Sequence, residues 1–294
     1  MIKHGLVHPN SFLFRNDFSF CDPILSCCID RGRFDLAEVL LESGAHVDIC
    51  GWSMQTTAIR CGSSPLQMLV YRLATMRGGN NGVKRREGLS LLRRLAEASK
   101  EMGCLGWKLR RVETVQQTLF LTEHDCNALQ LACLLRDAEV ARVLGEAVHS
   151  GAEGVELCSF LFAAEQSVSG HRSDAELDLE CAETLLQLEG LGLLDLDTVN
   201  REGDTPLSLA CKRGMEKTAE ALLKMGALPR KGRWKGRAGG HRPTIRSPLF
   251  VSLVQRQSES LVSLLLQWKA DPNEVVVVVG GEAFSLLQMA NSRT

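Results

Sequence analysis

Cysteine and histidine are the residue types through which this chain could carry nucleophilic or metal chemistry. The 294 residues include 11 cysteines and 7 histidines. A catalytic cysteine needs a recognisable local motif, and a zinc ribbon needs closely spaced pairs of the type C-x-x-C. The sequence contains no such pair, and its odd number of cysteines does not suggest a disulfide framework. We therefore expect reduced cysteines, no metal, no cofactor and no catalytic site.

Two glycine-rich stretches and one pair of carboxylates also have the composition of chemical sites. The stretches at 77–82 and 236–240 could hold a phosphate, but neither contains a complete phosphate-binding motif. Both are therefore interpreted as flexible insertions. Asp195 and Asp197 lack the sequence context of an acid–base pair and are expected to be solvated.

The composition of the chain favours a helical protein with a buried core. Hydrophobic residues make up 45% and charged residues 23%, as in ordinary globular proteins. Aromatic residues make up only 5%, and Leu and Ala replace the residue types that strands prefer. The net charge of −1 creates no overall attraction to nucleic acid or membranes. Because no signal peptide and no apolar run of ~20 residues is seen, we expect a cytoplasmic or nuclear protein without a membrane partner.

The clearest structural signal is the segment NREGDTPLSLACKRGMEKTAEALLKMGA. Asp204 or Thr205 can cap a helix with a side-chain oxygen, and Pro206 suits the first helical position. Gly214 ends this helix by allowing a left-handed backbone, and Gly226 ends a second helix in the same way. The segment therefore predicts two short helices in succession.

The same pattern recurs along the chain, with a small residue near the centre of each first helix. The expected small-residue positions are Cys28, Leu69, Ala132, Ala163, Ala210, Ser252 and Ala290. Leu69 fits least well because it is large. The second helices align on Ala37, Ala141 and Ala219, each nine residues later. In the sixth repeat, Leu264 and Leu265 align with Leu222 and Leu223.

This pattern resembles the ankyrin repeat, whose first helix opens with T-P-L-H-x-A and whose second helix ends in Gly-Ala. The chain has Thr205-Pro206-Leu207-Ser208, with serine at the histidine position. The resemblance implies an all-α fold, an ankyrin-type helical repeat solenoid with β-hairpin fingers. It also implies a non-enzymatic scaffold or adaptor, because most members of this family bind other proteins through an extended surface.

A single ankyrin-repeat array is predicted to occupy residues 1–294. Its repeats are expected near 22–48, 63–103, 126–150, 157–190, 203–227 and 246–273, with a partial repeat at 283–294 and a basic, flexible insertion at 228–246. Repeats two and four carry ten extra residues between their helices, around 78–86 and 167–174, which are expected to form dispensable loops. The valine run at 275–279 is predicted to form a strand of the last finger.

Three cysteines recur near the small-residue position. Cys133 and Cys211 follow it in two repeats, and Cys28 occupies it in a third. Recurrence at a repeat position predicts packing, because a cysteine on a helix face is usually a small buried apolar residue.

Tryptophan and arginine dominate the binding energy of many protein interfaces, so these residues are the first binding candidates. Three of the four tryptophans fall between repeats, and two of these have basic neighbours. The candidate partner-binding residues are Trp52, Trp107, Lys108, Arg110, Arg111, Arg230, Lys231, Arg233, Trp234, Lys235 and Arg237. They suggest a protein partner with acidic segments. In the alternative interpretation, each tryptophan packs on a neighbouring finger and the basic residues are merely solvated.

The stretch 228–246 contains seven basic residues and no acidic residue, and it leaves four interpretations open. It could be a disordered insertion, a nuclear-localisation patch, a contact for an acidic protein or a contact for nucleic acid. Its glycines and charge favour disorder in the free protein. A nucleic-acid-associated protein that uses its basic fingers is the main alternative function, and steep salt dependence of binding would favour it.

The repeat register generates a first prediction. Ala210→Asp should lower the thermal midpoint strongly, because a carboxylate between packed helices would be desolvated without a partner. Thermal unfolding followed by circular dichroism measures this loss. An unchanged midpoint would place Ala210 on the surface and show that the register is wrong.

Overall fold

The structure, a computed structural model, describes part of the chain. The described residues are 8–14, 20–50, 52–53, 64–77, 81–106, 111–113, 118–120, 126–148, 161, 173–197, 204–229, 247–273, 275–277 and 283–285. They are mainly helical, and short hairpins accompany the helix pairs, so the predicted fold class is confirmed. The chain divides into two compact units. Unit 1 is Met1–Ser150 with Ala163–Gly170, and unit 2 is Gly151–Phe162 with His171–Thr294.

The described part of unit 1 contains three helix pairs. Helix α1 (Ile24–Asp30) pairs with α2 (Phe34–Glu42), α3 (Pro65–Thr75) with α4 (Gly82–Glu101), and α5 (Ala128–Leu134) with α6 (Ala138–Ala147). The first helices α1, α3 and α5 pack side by side, and so do α2, α4 and α6. Each pair therefore buries its apolar face against the next pair, as a helical repeat requires.

Unit 2 repeats this arrangement. Its described helices are α7 (Asp174–Glu189), α8 (Pro206–Arg213), α9 (Glu216–Lys224), α10 (Pro248–Phe250) and α11 (Glu259–Gln267), and a π-helical stretch, Val251–Arg256, continues α10. Helix α9 packs against α7, α8 and α11, and α8 packs against α10. The predicted first helix of the 157–190 repeat lies outside the described residues except for Leu161, which is helical and buried.

Short antiparallel strands accompany the helix pairs. Strands β1 (Phe12–Phe14), β2 (Phe20–Pro23) and β3 (Trp52–Ser53) form one sheet, β4 (Arg111–Glu113) pairs with β5 (Thr118–Phe120), and β6 (Val275–Val277) pairs with β7 (Ala283–Ser285). The strand predicted in the valine run is confirmed. The β1–β2 hairpin was not predicted, although Phe recurs at every second position in SFLF and again in FSF, a spacing that is typical of strands. Residues 286–294 lie outside the described residues.

Side-chain caps explain why the first helices begin where they do. In α5, the Asn127 side chain accepts the backbone N–H of Gln130 at 2.8 Å, and Gln130 accepts the N–H of Asn127 at 2.9 Å. In α8 the cap is Thr205, whose Oγ1 accepts the N–H of Ser208 at 3.2 Å. The neighbouring Asp204 instead pairs with Lys212 at 3.3 Å. The caps satisfy backbone donors that a helix cannot satisfy internally.

Burial confirms the predicted register at most described positions. The small-residue positions Leu69, Ala132, Ala210 and Ser252 are completely buried, as are the second-helix positions Ala37, Ala141 and Ala219. Leu69 is accommodated despite its size. Cys28 is an exception, because its side chain is only partly buried. Ala163 and Ala290 lie outside the described residues.

A π-helical turn adds one residue to the first helix of the sixth repeat. In α8, Gly214 comes four positions after Ala210 and has a left-handed φ of 74°. In the sixth repeat, Gln257 comes five positions after Ser252 and has a left-handed φ of 54°. A π-turn closes its hydrogen bond over one more residue than an α-turn, which accounts for the extra position.

This extra residue corrects the alignment of the second helix in the sixth repeat. The N–H of Ala270 donates to the carbonyl of Leu265, as the N–H of Ala227 donates to that of Leu222. Leu265 therefore corresponds to Leu222. The prediction that it corresponds to Leu223 is wrong by one residue, because an alignment without gaps cannot contain the π-turn.

The extra residues of repeat two do not form a loop throughout. Residues 82–86 are the first turns of α4. Arg85 donates to both carboxylate oxygens of the buried Asp137, at 2.8 and 3.0 Å, and Arg77 Nε lies 3.4 Å from the same carboxylate. Asp137 caps α6, so this segment joins two helix pairs of unit 1. The expectation of a dispensable loop is wrong here, since removing one partner of a buried ion pair is strongly destabilising.

In repeat four, the predicted loop at 167–174 is described only at its end. Ser173 caps α7 and forms a reciprocal pair of hydrogen bonds with Glu176. Asp174 is already helical, so the end of the predicted loop belongs to α7. Residues 167–172 lie outside the described residues.

Close packing around Gly88 of α4 generates the second prediction. A Cβ atom at this position would lie 2.6 Å from Leu73 Cδ2 and 2.9 Å from Phe34 Cε2, and both side chains are buried. Gly88→Ala gains up to ~1 kcal/mol of helix propensity. It also overpacks the core, which costs about 1–3 kcal/mol. We expect a net loss in the free energy of unfolding, measured by urea titration.

Gly82→Ala is the matched control, because it lies in the same helix and no atom lies within 4 Å of its added Cβ. This variant should be neutral or slightly stabilised. Equal stability of the two variants would show that the core around Gly88 relaxes without cost.

Candidate functional site

Most of the predicted partner-binding residues lie outside the described residues. These are Trp107, Lys108, Arg110, Arg230, Lys231, Arg233, Trp234, Lys235 and Arg237. Only backbone positions are described for Trp52, in β3, and for Arg111, in β4. Both are in strands between helix pairs. The binding role of all eleven residues stays a prediction.

A basic surface lies on the first helices of unit 2. Leu209, Lys212 and Arg213 are spaced three and four residues apart on α8, so they share one face, and each is half-buried. The exposed Arg256 joins them, since its Nε donates to the carbonyl of Lys212 at 2.8 Å. These four residues are called the basic face of unit 2.

The local chain explains why cations collect at this place. Lys212 and Arg213 are in the last turn of α8, where the helix dipole favours positive charge. Lys212 Nζ lies 3.3 Å from an oxygen of the buried Asp204, so part of its charge is compensated within the repeat. Arg213 and Arg256 are the better candidates for binding a carboxylate, because a guanidinium group can present two parallel donors to it.

The corresponding positions in unit 1 differ from one first helix to the next. Counted from the small-residue position, α1 has Cys27, Asp30 and Arg31 there, α3 has Met68, Tyr71 and Arg72, and α5 has Leu131, Leu134 and Leu135. The three leucines of α5 are buried, as are Met68 and Tyr71, whereas Arg72 is half-buried and Arg31 is exposed. Burial also raises the pKa of Tyr71. Among these first helices, α8 has two adjacent cations at the positions where α5 has buried leucines.

Sequence reasoning missed the basic face. The difference was readable in aligned positions, because Lys212-Arg213 in one repeat corresponds to Leu134-Leu135 in another. Comparing the residue types at these aligned positions would have indicated that the face is exposed in one repeat and buried in the other.

The buried carboxylate of Asp178 in α7 is structural. It accepts the backbone N–H groups of Lys217 and Thr218, each at 2.8 Å, and the Thr218 hydroxyl at 2.6 Å. Helix α9 has no side-chain cap of its own, so Asp178 supplies one from the neighbouring repeat. A negative charge at a helix N-terminus is also favoured by the dipole. All of these contacts stabilise the packing of α7 on α9.

The described cysteines are free thiols. Cys133 and Cys211 are completely buried, as predicted. Burial raises the pKa of Cys211 from 9.0 to about 11, although a hydrogen bond with Ser252 partly opposes the shift. Burial likewise raises the pKa of the half-buried Cys28. Such thiols are poor nucleophiles at neutral pH, because the thiolate is the reactive form.

Within the described ranges, no group of three or more His, Cys, Asp or Glu residues is arranged to hold a metal ion. Among the same residues, no helix combines the length and apolar character that crossing a bilayer requires.

Comparison with known proteins agrees with the repeat pattern. Residues 202–231 match the family model of the ankyrin repeat. The crystal structure of the human ASB11 ankyrin repeat domain is similar with a TM-score of 0.52 and 18% identity, over 90% of this chain and 90% of that chain. The ankyrin repeat domain of Bcl-3, a member of the IkappaB protein family, is similar with a TM-score of 0.56 and 19% identity, over 92% and 95% of the two chains. No curated protein sequence matches the chain.

The fold is that of a helical repeat protein, and the basic face is part of its exposed surface. More specifically, residues 202–231 match the ankyrin repeat, and the chain has the fold of ankyrin repeat domains. Ankyrin repeat domains are generally protein–protein interaction modules and are typically non-enzymatic.

The buried thiol of Cys211 generates the third prediction. The folded protein keeps this thiol protonated up to about pH 11, whereas the unfolded chain ionises it near pH 9. Its contribution to stability is therefore complete below pH 9 and is lost as the pH rises toward 11. The free energy of unfolding should fall by up to about 3 kcal/mol over this range.

Urea titrations with reductant at several pH values measure this loss. Cys211→Ala should flatten the profile between pH 9 and 11, while other thiols and Tyr71 affect both proteins alike. The same steepness in both proteins would mean that Cys211 is solvated in the folded state.

Proposed function

We propose that this protein is an interaction scaffold or adaptor that binds acidic segments of partner proteins through the basic face of unit 2. The observation that carries the proposal is a contrast between two repeats: Lys212 and Arg213 of α8 are basic and accessible, whereas the corresponding Leu134 and Leu135 of α5 are apolar and buried. The ankyrin fold supports an interaction role, because each repeat adds surface without closing a pocket.

The basic face has features suited to carboxylates. Arg256 is oriented by its bond to the carbonyl of Lys212, so less side-chain freedom is lost on binding. The planar guanidinium groups of Arg213 and Arg256 match the two oxygens of an Asp or Glu side chain. Leu209 adds apolar contact area beside them. An extended acidic segment with an apolar residue fits this combination.

The basic stretch 228–246 belongs to the same proposed surface. It begins just after α9 and leads to Ser247, the cap of α10. Helices α9 and α10 both pack on α8, so the stretch connects two elements that flank the helix with the basic face. We propose that Arg230, Lys231, Arg233, Trp234, Lys235 and Arg237 extend the contact. Trp52, Trp107, Lys108, Arg110 and Arg111 are proposed as separate contacts in the fingers of unit 1.

The fourth prediction tests the basic face. Arg213→Ala combined with Arg256→Ala should weaken partner binding about tenfold or more, because two charge-assisted contacts are lost. Arg93→Ala combined with Lys100→Ala is the matched control, since both residues are exposed on α4 and the charge change is equal. The control should bind within about twofold of the parent protein.

Partners are first captured from native cell extract on the immobilised full chain, and an identified partner is then measured by calorimetry at low and high salt. Trp234→Ala should mainly speed dissociation, whereas the arginine variant should mainly slow association and reduce salt sensitivity. Unaltered binding in both variants would exclude this surface. Release of the captured material by nuclease, with a steep salt slope, would instead identify the protein as nucleic-acid-associated.

A further inference from the structure

Helix α7 has an apolar face that is exposed. Leu179 is 50% exposed and Leu186 is 48% exposed. They are seven residues apart, so they lie on the same side of the helix about 10.5 Å from each other. Glu183 lies between them on this side and is also exposed. These three residues are called the α7 face.

All of the charged residues of α7 are acidic. Its sixteen residues include six acidic residues and no basic residue. Some carboxylates of other second helices have cationic partners: Arg94 lies 3.8 Å from Glu38 and from Glu42, and Lys224 lies 2.8 Å from Glu220. Among the described residues, no lysine or arginine pairs with Glu183.

The fold of α7 does not depend on the α7 face, because Ser173 caps the helix and Asp178 anchors a different side of the helix to α9. Asp178 is one residue from Leu179 and so points about 100° away from it around the helix. The exposed leucines and Glu183 are therefore available to a ligand of opposite character.

We propose that the α7 face is a docking surface for a basic amphipathic helix of another protein. Charge complementarity requires lysine or arginine on that helix, to neutralise Glu183. The leucine spacing requires apolar residues seven positions apart, because two roughly parallel helices then place side chains in register. The surface is separate from the basic face and binds a segment of opposite charge, so it goes beyond the function proposed above.

The test uses the full chain and a fluorescent 18-residue peptide. Leucines of the peptide recur at the helical spacing i, i+3, i+4 and i+7, and its other residues are lysine. Fluorescence anisotropy measures its affinity. Leu179→Gln combined with Leu186→Gln should weaken binding about tenfold. Glu183→Gln should weaken it about threefold and reduce its salt dependence. Thermal midpoints of both variants should stay close to that of the parent protein, because the substituted side chains are exposed.

Leu36→Gln is the matched control. Leu36 is 42% exposed on α2, beside carboxylates that have arginine partners. Its substitution should change the peptide affinity by less than about twofold. Equal loss in this control and in the leucine variant of α7 would overturn the proposal. Unchanged affinity of the leucine variant would also overturn it, because attraction would then be purely ionic.

A further variant examines whether the occupant comes from this chain. Residues 230–246 are replaced by a neutral glycine–serine linker of the same length. Unchanged peptide affinity supports a site for another protein. Clearly tighter binding would overturn that assignment and make the basic stretch of this chain the occupant.

Discussion

The structure depends on helices that are too short to be stable alone. Helix α5 has seven residues and α8 has eight, whereas isolated helices need ~12–15 residues to persist in water. Each must therefore be capped at its start and packed against neighbours. Ala132 and Ala210 are completely buried because a small side chain lets adjacent helices approach closely. Repetition follows from this constraint, since within each unit a helix pair completes the core of its neighbour.

Sequence reasoning succeeded where the determinants are local. Caps, glycine turns and small-residue positions are encoded within about thirty residues, and Thr205, Gly214 and Ala210 behave as their types predict. It failed where contacts are distant. The residues of the ion pair between Arg85 and Asp137 are 52 positions apart, and no local sequence pattern predicts the contact. Because that contact holds the start of α4, the extra residues of repeat two appeared from sequence alone to be a loop.

Left-handed turns illustrate the same limit. Arg136 adopts a φ of 54° at a position where α1 and α8 end in glycine. A side chain in this conformation costs roughly 1–2 kcal/mol. The carbonyl of Arg136 accepts a hydrogen bond from Arg77 at 2.7 Å, which offsets part of that cost. Exposure is equally non-local: the acidity of α7 was readable, but only packing shows that Leu179 faces outward while Leu185 is buried.

The two proposed surfaces share one structural support, helix α9. Helix α9 packs against α8, which has the basic face, and against α7, which has the oppositely charged face. Asp178 ties α7 to the start of α9, and Ala219 lies completely buried in α9. A change in this support would disturb both surfaces, whereas Arg213 and Leu179 can be altered without touching the core. An adaptor needs two surfaces that can be altered separately on one stable support. Unit 2 has this arrangement, because its basic and acidic surfaces lie on different helices that share one core.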